Sequence, residues 1–172
     1  MGLLRRLFRR DPARRIVDLD QLAAARRERG RVELHGVIEA LATVPDPTGG
    51  APCVALEYRA WPQSTTVGIA GAAPEGSRAF QLAYHQAADF VLADRGRRVL
   101  VRVERGADLA RVHHDLLARF GVGLRHELRR LCDGDRVGVV GRLDPPGPAA
   151  SPHRAEPYLA VLRAERLWPL ED

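Results

Sequence analysis

A chain of 172 residues is long enough for one well-buried domain with appendages, and a formal charge of +5 with a pI near 10.2 favours anionic partners such as phospholipid or nucleic acid. All 27 basic residues are arginine, and Arg5, Arg6, Arg9, Arg10, Arg14 and Arg15 crowd the start. Two cysteines, Cys53 and Cys132, make neither a disulfide framework nor a metal set, and no run approaches the roughly 20 apolar residues that span a bilayer, so a disulfide scaffold and a membrane-crossing chain are both excluded.

Residues 1–12 form a basic amphipathic segment. Leu3, Leu4, Leu7 and Phe8 lie on one side of a helix at about 100° per residue, with Arg5, Arg6, Arg9 and Arg10 on the other. Asp11-Pro12 ends it, because the residue before a proline is pushed out of the α region. Such a segment is either an interfacial membrane anchor or a peptide that docks in a partner's groove. Residues 13–30 then make a linker. It carries a short helix from Asp18 to Arg29, capped by Asp18 or Asp20, ended by Gly30, with a thin apolar stripe of Leu19, Leu22 and Ala23.

Residues 31–172 read as one β-rich domain. From Arg31 to Leu41, Val32 and Leu34 alternate with Glu33 and His35 and the phase shifts at Gly36, which predicts a long strand with a bulge or bend and His35 on its exposed side. Pro45 to Gly50 is a loop, Cys53 to Trp61 a second strand, Gly68 to Ser77 a loop without phosphate-binding spacing, and Phe80 to Tyr84 a further strand. The core centres on a hairpin from Asp89 to Val103. Phe90 and Leu92 point one way before its Asp94-Arg95-Gly96 turn, and Val99, Val101 and Val103 alternate with Leu100, Arg102 and Glu104 after it. Asp108 caps a helix whose Leu109, Val112, His113, Leu116, Leu117 and Phe120 share one face, ending at Gly121. A second short helix is expected from Leu124 to Leu131. Strands at Gly134 to Asp144 and Tyr158 to Leu167, separated by the Pro145 to Pro152 loop, complete the chain. The fold class is mainly β with helices, α+β: an OB-like, partly open β-barrel with a helix between the third and fourth main strands and a bent first strand that pairs on both sides.

No catalytic or metal motif stands out. In His113-His114-Asp115, adjacent helical residues point about 100° apart and do not grip one ion together, so His113 is expected at the core edge and His114 in solvent. Cys53 has no neighbouring base. The expectation is a non-enzymatic binding module with no cofactor and no metal, placed in the cytoplasm and attached peripherally at the inner face of a membrane. Single-stranded nucleic acid is the alternative partner, on a face of Arg95, Arg97, Arg98 and Arg102 with Trp61 and Tyr84 as a stacking platform.

Three elements occur in the order found in the GIDE-type, "beside a membrane" domain of organellar outer-membrane ubiquitin ligases and bacterial relatives: Pro47, Thr48, Gly49, Pro52, Cys53 and Val54; then Phe90, Leu92, Asp94, Gly96, Leu100 and Val101; then Glu127, Leu131, Gly134, Asp135, Val137, Val139 and Gly141. From about Arg31 to Leu167 the chain resembles that domain. The resemblance implies an OB-like fold and a regulatory or substrate-recruiting role beside a membrane. It does not extend to ligase activity, since two cysteines cannot build the two-zinc RING and the transmembrane helices of the ligases are missing from the sequence.

Overall fold

The computed structural model describes residues 21–22, 31–62, 82–121, 124–144 and 158–170. In chain order its elements are β1 (Arg31–Ala40), β2 (Ala55–Pro62), β3 (Leu82–Ala87), β4 (Phe90–Asp94), β5 (Arg97–Arg102), α1 (Leu109–Phe120), β6 (Leu124–Leu131), β7 (Arg136–Leu143) and β8 (Ala160–Pro169). The amphipathic segment 1–12, nearly all of the linker helix, the 68–77 loop and the 145–152 loop lie outside the described residues. Leu22, from the linker, is buried in the same cluster as the barrel core.

β1 organises the barrel by taking part in two strand pairs. Arg31 to Val37 pair antiparallel with β7, and Val37 to Ala40 pair antiparallel with β4. The strand changes partner beside Gly36, where a Cβ would lie 2.7 Å from the Ala93 carbonyl oxygen and 2.9 Å from Leu92 Cγ. A side chain there would push β4 away at the bend. The circuit continues β4-β5-β8-β7 and returns to β1, so the barrel is closed where the sequence predicts a partly open one. Of its five pairings only β5 with β8 is parallel.

Period-two alternation fills the interior. Val32, Leu34 and Ile38 of β1 meet Phe90 and Leu92 of β4, Val99 and Val101 of β5, Val137 and Val139 of β7, and Ala160, Leu162 and Leu167 of β8 in one cluster. The predicted hairpin is therefore at the centre of the core. Its turn is shorter than expected: Asp94 pairs with Arg97, leaving Arg95 and Gly96 as the two central residues with φ of 48° and 77°. Two positive φ values in succession match the twist of the flanking strands in a type I′ turn.

β2, β3 and β6 leave the barrel and form a second sheet in the order β3-β2-β6. Here the sequence reading needs correction: Leu124–Leu131 is a strand, not a helix. The spacing of Leu124, Leu128 and Leu131 and the helix-favouring Leu, Arg and Glu content suggest a helical stripe. Eight consecutive antiparallel pairs with β2 override that local preference. As a strand, β6 turns Leu124 and Leu128 toward α1 and Leu131 toward the barrel core.

α1 forms where predicted. Asp108 at its N-cap accepts from the Arg111 backbone N–H at 3.2 Å, and the Gly121 N–H donates to the Leu117 carbonyl. Leu109 and Leu116 are buried against Leu56, Tyr58 and Ala60 of β2, with Val112 and Phe120 beside them. Leu117, expected on that face, is 43% exposed. The described residues thus form two apolar clusters, one inside the barrel and one between α1 and the β3-β2-β6 sheet.

Candidate functional site

A connected group of titratable side chains lies between α1 and this second sheet. Tyr58, fully buried on β2, hydrogen-bonds through its hydroxyl to Nδ1 of His113 at 2.7 Å. His126, opposite Ala60 on β6, stacks on the Tyr58 ring with centroids 5.8 Å apart and meets the His113 ring edge-on at 5.2 Å. Burial raises the pKa of Tyr58, so the phenol keeps its proton. Burial and the neighbouring His126 lower that of His113, against a smaller opposing pull from Asp46. With both groups neutral, the phenol O–H donates to the imidazole Nδ1. His113 is at the core edge, as its sequence position predicts, but the cluster is not legible in the sequence, because the local pattern puts His126 on a helix.

Asp46 places a negative charge near His113 and Cys53. It is 8% exposed, and burial alone would raise its pKa, but hydrogen bonds from Thr48 and the Arg130 guanidinium bring it below the usual carboxylate value. Its Oδ1 accepts from the Thr48 N–H at 2.8 Å and the Thr48 hydroxyl at 2.6 Å, and Oδ2 pairs with Arg130 at 2.5 Å. Cys53 is also buried here, and burial, reinforced by Cys132 and Asp46, pushes its thiol up to about 11. A thiol that holds its proton at neutral pH is a poor nucleophile. His114 is exposed and Asp115 faces Arg111 at 3.9 Å, so the His113-His114-Asp115 run does not converge on one point.

The Tyr58-His113-His126 arrangement fastens α1 to two strands, and that attachment depends on pH. Because the folded state lowers the His113 pKa, unfolding takes up protons. The His113 contribution is complete above the ordinary value of 6.5 and is lost as pH falls from there through the folded value. The corresponding Asp46 contribution is lost only below about 3.8, in a separate window. Melting temperature should therefore fall between pH 7 and 5, and His113→Gln, which cannot titrate, should flatten that fall. Parallel pH profiles for the two proteins would contradict the assignment.

The residues expected at a functional surface are dispersed. Leu3, Leu4, Arg5, Arg6, Leu7, Phe8, Arg9 and Arg10 lie outside the described residues. Trp61 and Tyr84 share the β3-β2-β6 sheet but not a face. Tyr84 is opposite Tyr58 on the α1 side, whereas Trp61 is three residues further along β2 and points to the other side with Glu57 and Arg59. They make no common stacking platform. Arg95, Arg97, Arg98 and Arg102 belong to the barrel hairpin instead, and Arg98 is engaged by Glu39 at 2.7 Å and lies over the Tyr158 ring at 5.8 Å.

Among the described residues, no helix is long and apolar enough to cross a membrane. No protein-family model matches the chain, and no curated protein matches it.

Proposed function

We propose that the chain is a non-enzymatic binding module of OB-like architecture, related to the GIDE-type domain, which attaches to an anionic membrane surface through residues 1–12 and offers its barrel to a protein partner. Charge distribution carries this reading. Residues 1–15 hold six Arg against the single Asp11, which accounts for the entire +5, while residues 31–172 hold 18 Arg and 18 Asp or Glu. A neutral body with a basic, amphipathic tail meets a polyanion through the tail.

The five-stranded barrel, with α1 between its third and fourth strands in chain order, supports the OB-like assignment. Several residues that carry the GIDE resemblance shape turns and core. Gly96 lies in the β4-β5 turn, Asp135 accepts from the Cys132 N–H at 2.7 Å, and Phe90 and Val139 are buried in the barrel. The nucleic-acid alternative gains less support, because its two aromatics lie on opposite faces and the body carries no net charge.

The tail should fold only on contact with a surface. Burying its four large apolar side chains contributes at most roughly 1.5–3 kcal/mol each. Ordering its ten backbone units costs about 1–2 kcal/mol each, only part of which intrahelical hydrogen bonds offset. Apolar burial alone is near balance. Arginines near an anionic leaflet add about 1 kcal/mol each, so attachment requires anionic lipid and weakens with salt. In vesicle co-sedimentation, binding should appear with anionic but not neutral vesicles and be lost in Leu4→Glu/Phe8→Glu. Equal binding to both vesicle types, or undiminished binding by that variant, would point to a protein groove as the tail's target.

A further inference from the structure

Four arginines stand side by side across four adjacent barrel strands. Arg102 of β5 is opposite Arg163 of β8, Arg163 is opposite Arg142 of β7, and Arg142 is opposite Arg31 of β1. The residues next to them, Val101, Leu162, Leu143 and Val32, belong to the interior cluster, so the arginines point outward, and all four are exposed. With neighbouring strands about 4.8 Å apart, the row is about 14 Å long.

Like charges directly opposite one another destabilise a sheet. Two carboxylates reach into the row to offset this: Glu165 pairs with Arg31 and, at 3.3 Å, with Arg142, while Asp144 Oδ1 accepts from Arg163 Nε at 2.5 Å. Four arginines against Glu165, Asp144 and Asp89, which stands beside Arg102 with its Oδ1 on the Val103 N–H, leave a local excess of one. Arg102 has no ion-pair partner among the described residues, and the side chains of Arg142 and Arg163 each remain 68% exposed despite their pairing. Planar guanidinium groups in this state match the oxygens of phosphate-bearing groups.

We infer that this row is a second contact for anionic lipid headgroups, which orients the barrel on the membrane to which the tail attaches; it rests on the attachment proposed above. Arg31, at one end of the row, opens β1, and residues 16–30 lead to it from the basic tail. Leu22 of that stretch is packed in the barrel core, so only residues 13–21 separate the tail from the barrel, and fully extended they span at most about 32 Å, a tether short enough to keep tail and barrel on one surface. Trp61 and Tyr84 lie in the other sheet, so neither gives the row the stacking platform that a single nucleic-acid strand uses.

The test compares the full chain with Arg102→Gln/Arg142→Gln and with Arg111→Gln/Arg119→Gln, which removes the same charge from exposed positions on α1. Each protein is co-sedimented with phosphatidylcholine vesicles with and without phosphatidylserine, after its melting curve is recorded. The row variant should melt like the unmodified chain and bind the anionic vesicles about tenfold more weakly, while the α1 variant loses less than about twofold. Unchanged binding by the row variant, with binding abolished by Leu4→Glu/Phe8→Glu, overturns the row and leaves the tail attachment standing. Equal losses in the row and α1 variants also overturn it, as a general charge effect. No binding of the unmodified chain to anionic vesicles overturns both readings. A row variant that loses affinity for single-stranded DNA but not for vesicles reassigns the row to nucleic acid.

Discussion

Val99→Asp is expected to abolish cooperative folding. Val99 is fully buried on β5 between Leu92 of β4 and Ala160 of β8, with its side chain inside a barrel whose contacts are apolar. Among the described residues, the interior cluster offers an aspartate there no basic partner. Leaving a polar or charged group unpaired costs several kcal/mol, against a total stability of about 5–15 kcal/mol for a domain. The same holds for Val139→Asp on β7, opposite Leu34 and Leu167. Val37→Asp is the control, since Val37 is 37% exposed on the same barrel, and it should cost less than about 1 kcal/mol. Thermal melts followed by circular dichroism distinguish the outcomes. If both buried variants melt cooperatively near the original temperature, the assignment of these strands to the barrel interior is wrong.

Gly141→Ala should be nearly as damaging, for a different reason. Gly141 sits on β7 where its pairing with β8 shifts register. A Cβ at that position would lie 2.1 Å from the carbonyl oxygen of Arg163, 2.8 Å from its carbonyl carbon and 3.0 Å from Ala164 Cα. All three atoms are backbone, so no rotamer change relieves the overlap. Relief requires β7 and β8 to separate at the register shift, in a closed barrel where neither strand has a free edge to move toward. Overpacking of this kind costs about 3 kcal/mol. For a chain of this size that corresponds to a fall in melting temperature of roughly 6–12 °C. An unchanged melting temperature would mean that the two strands do not approach as closely as this geometry requires.

The parts of the fold legible in the sequence are those in which a short-range pattern has one structural solution. Val99, Val101 and Val103 alternate with Leu100, Arg102 and Glu104, and Val99 and Val101 line the barrel with Val103 packed against its core. Asp108 and Gly121 cap α1 at the predicted positions, because cap chemistry acts within a few residues. The phase shift at Gly36 anticipated a strand with two partners, though not which ones. β6 is not legible in the sequence because its leucines satisfy a helical spacing, and only the ladder to β2 shows that they belong on opposite faces.

By itself the sequence determined the alternation of the barrel strands, the limits of α1, the neutrality of residues 31–172 and the concentration of positive charge at the start. Only the tertiary structure decided which strands close the barrel and which form the second sheet. That choice separated Trp61 from Tyr84 and brought Tyr58, His113 and His126 together. It also aligned Arg31, Arg102, Arg142 and Arg163 from four distant segments. The physical reason is that periodicity and capping are properties of neighbouring residues, whereas register is set by how whole faces pack. A shift of one residue moves every side chain of a strand to the other face.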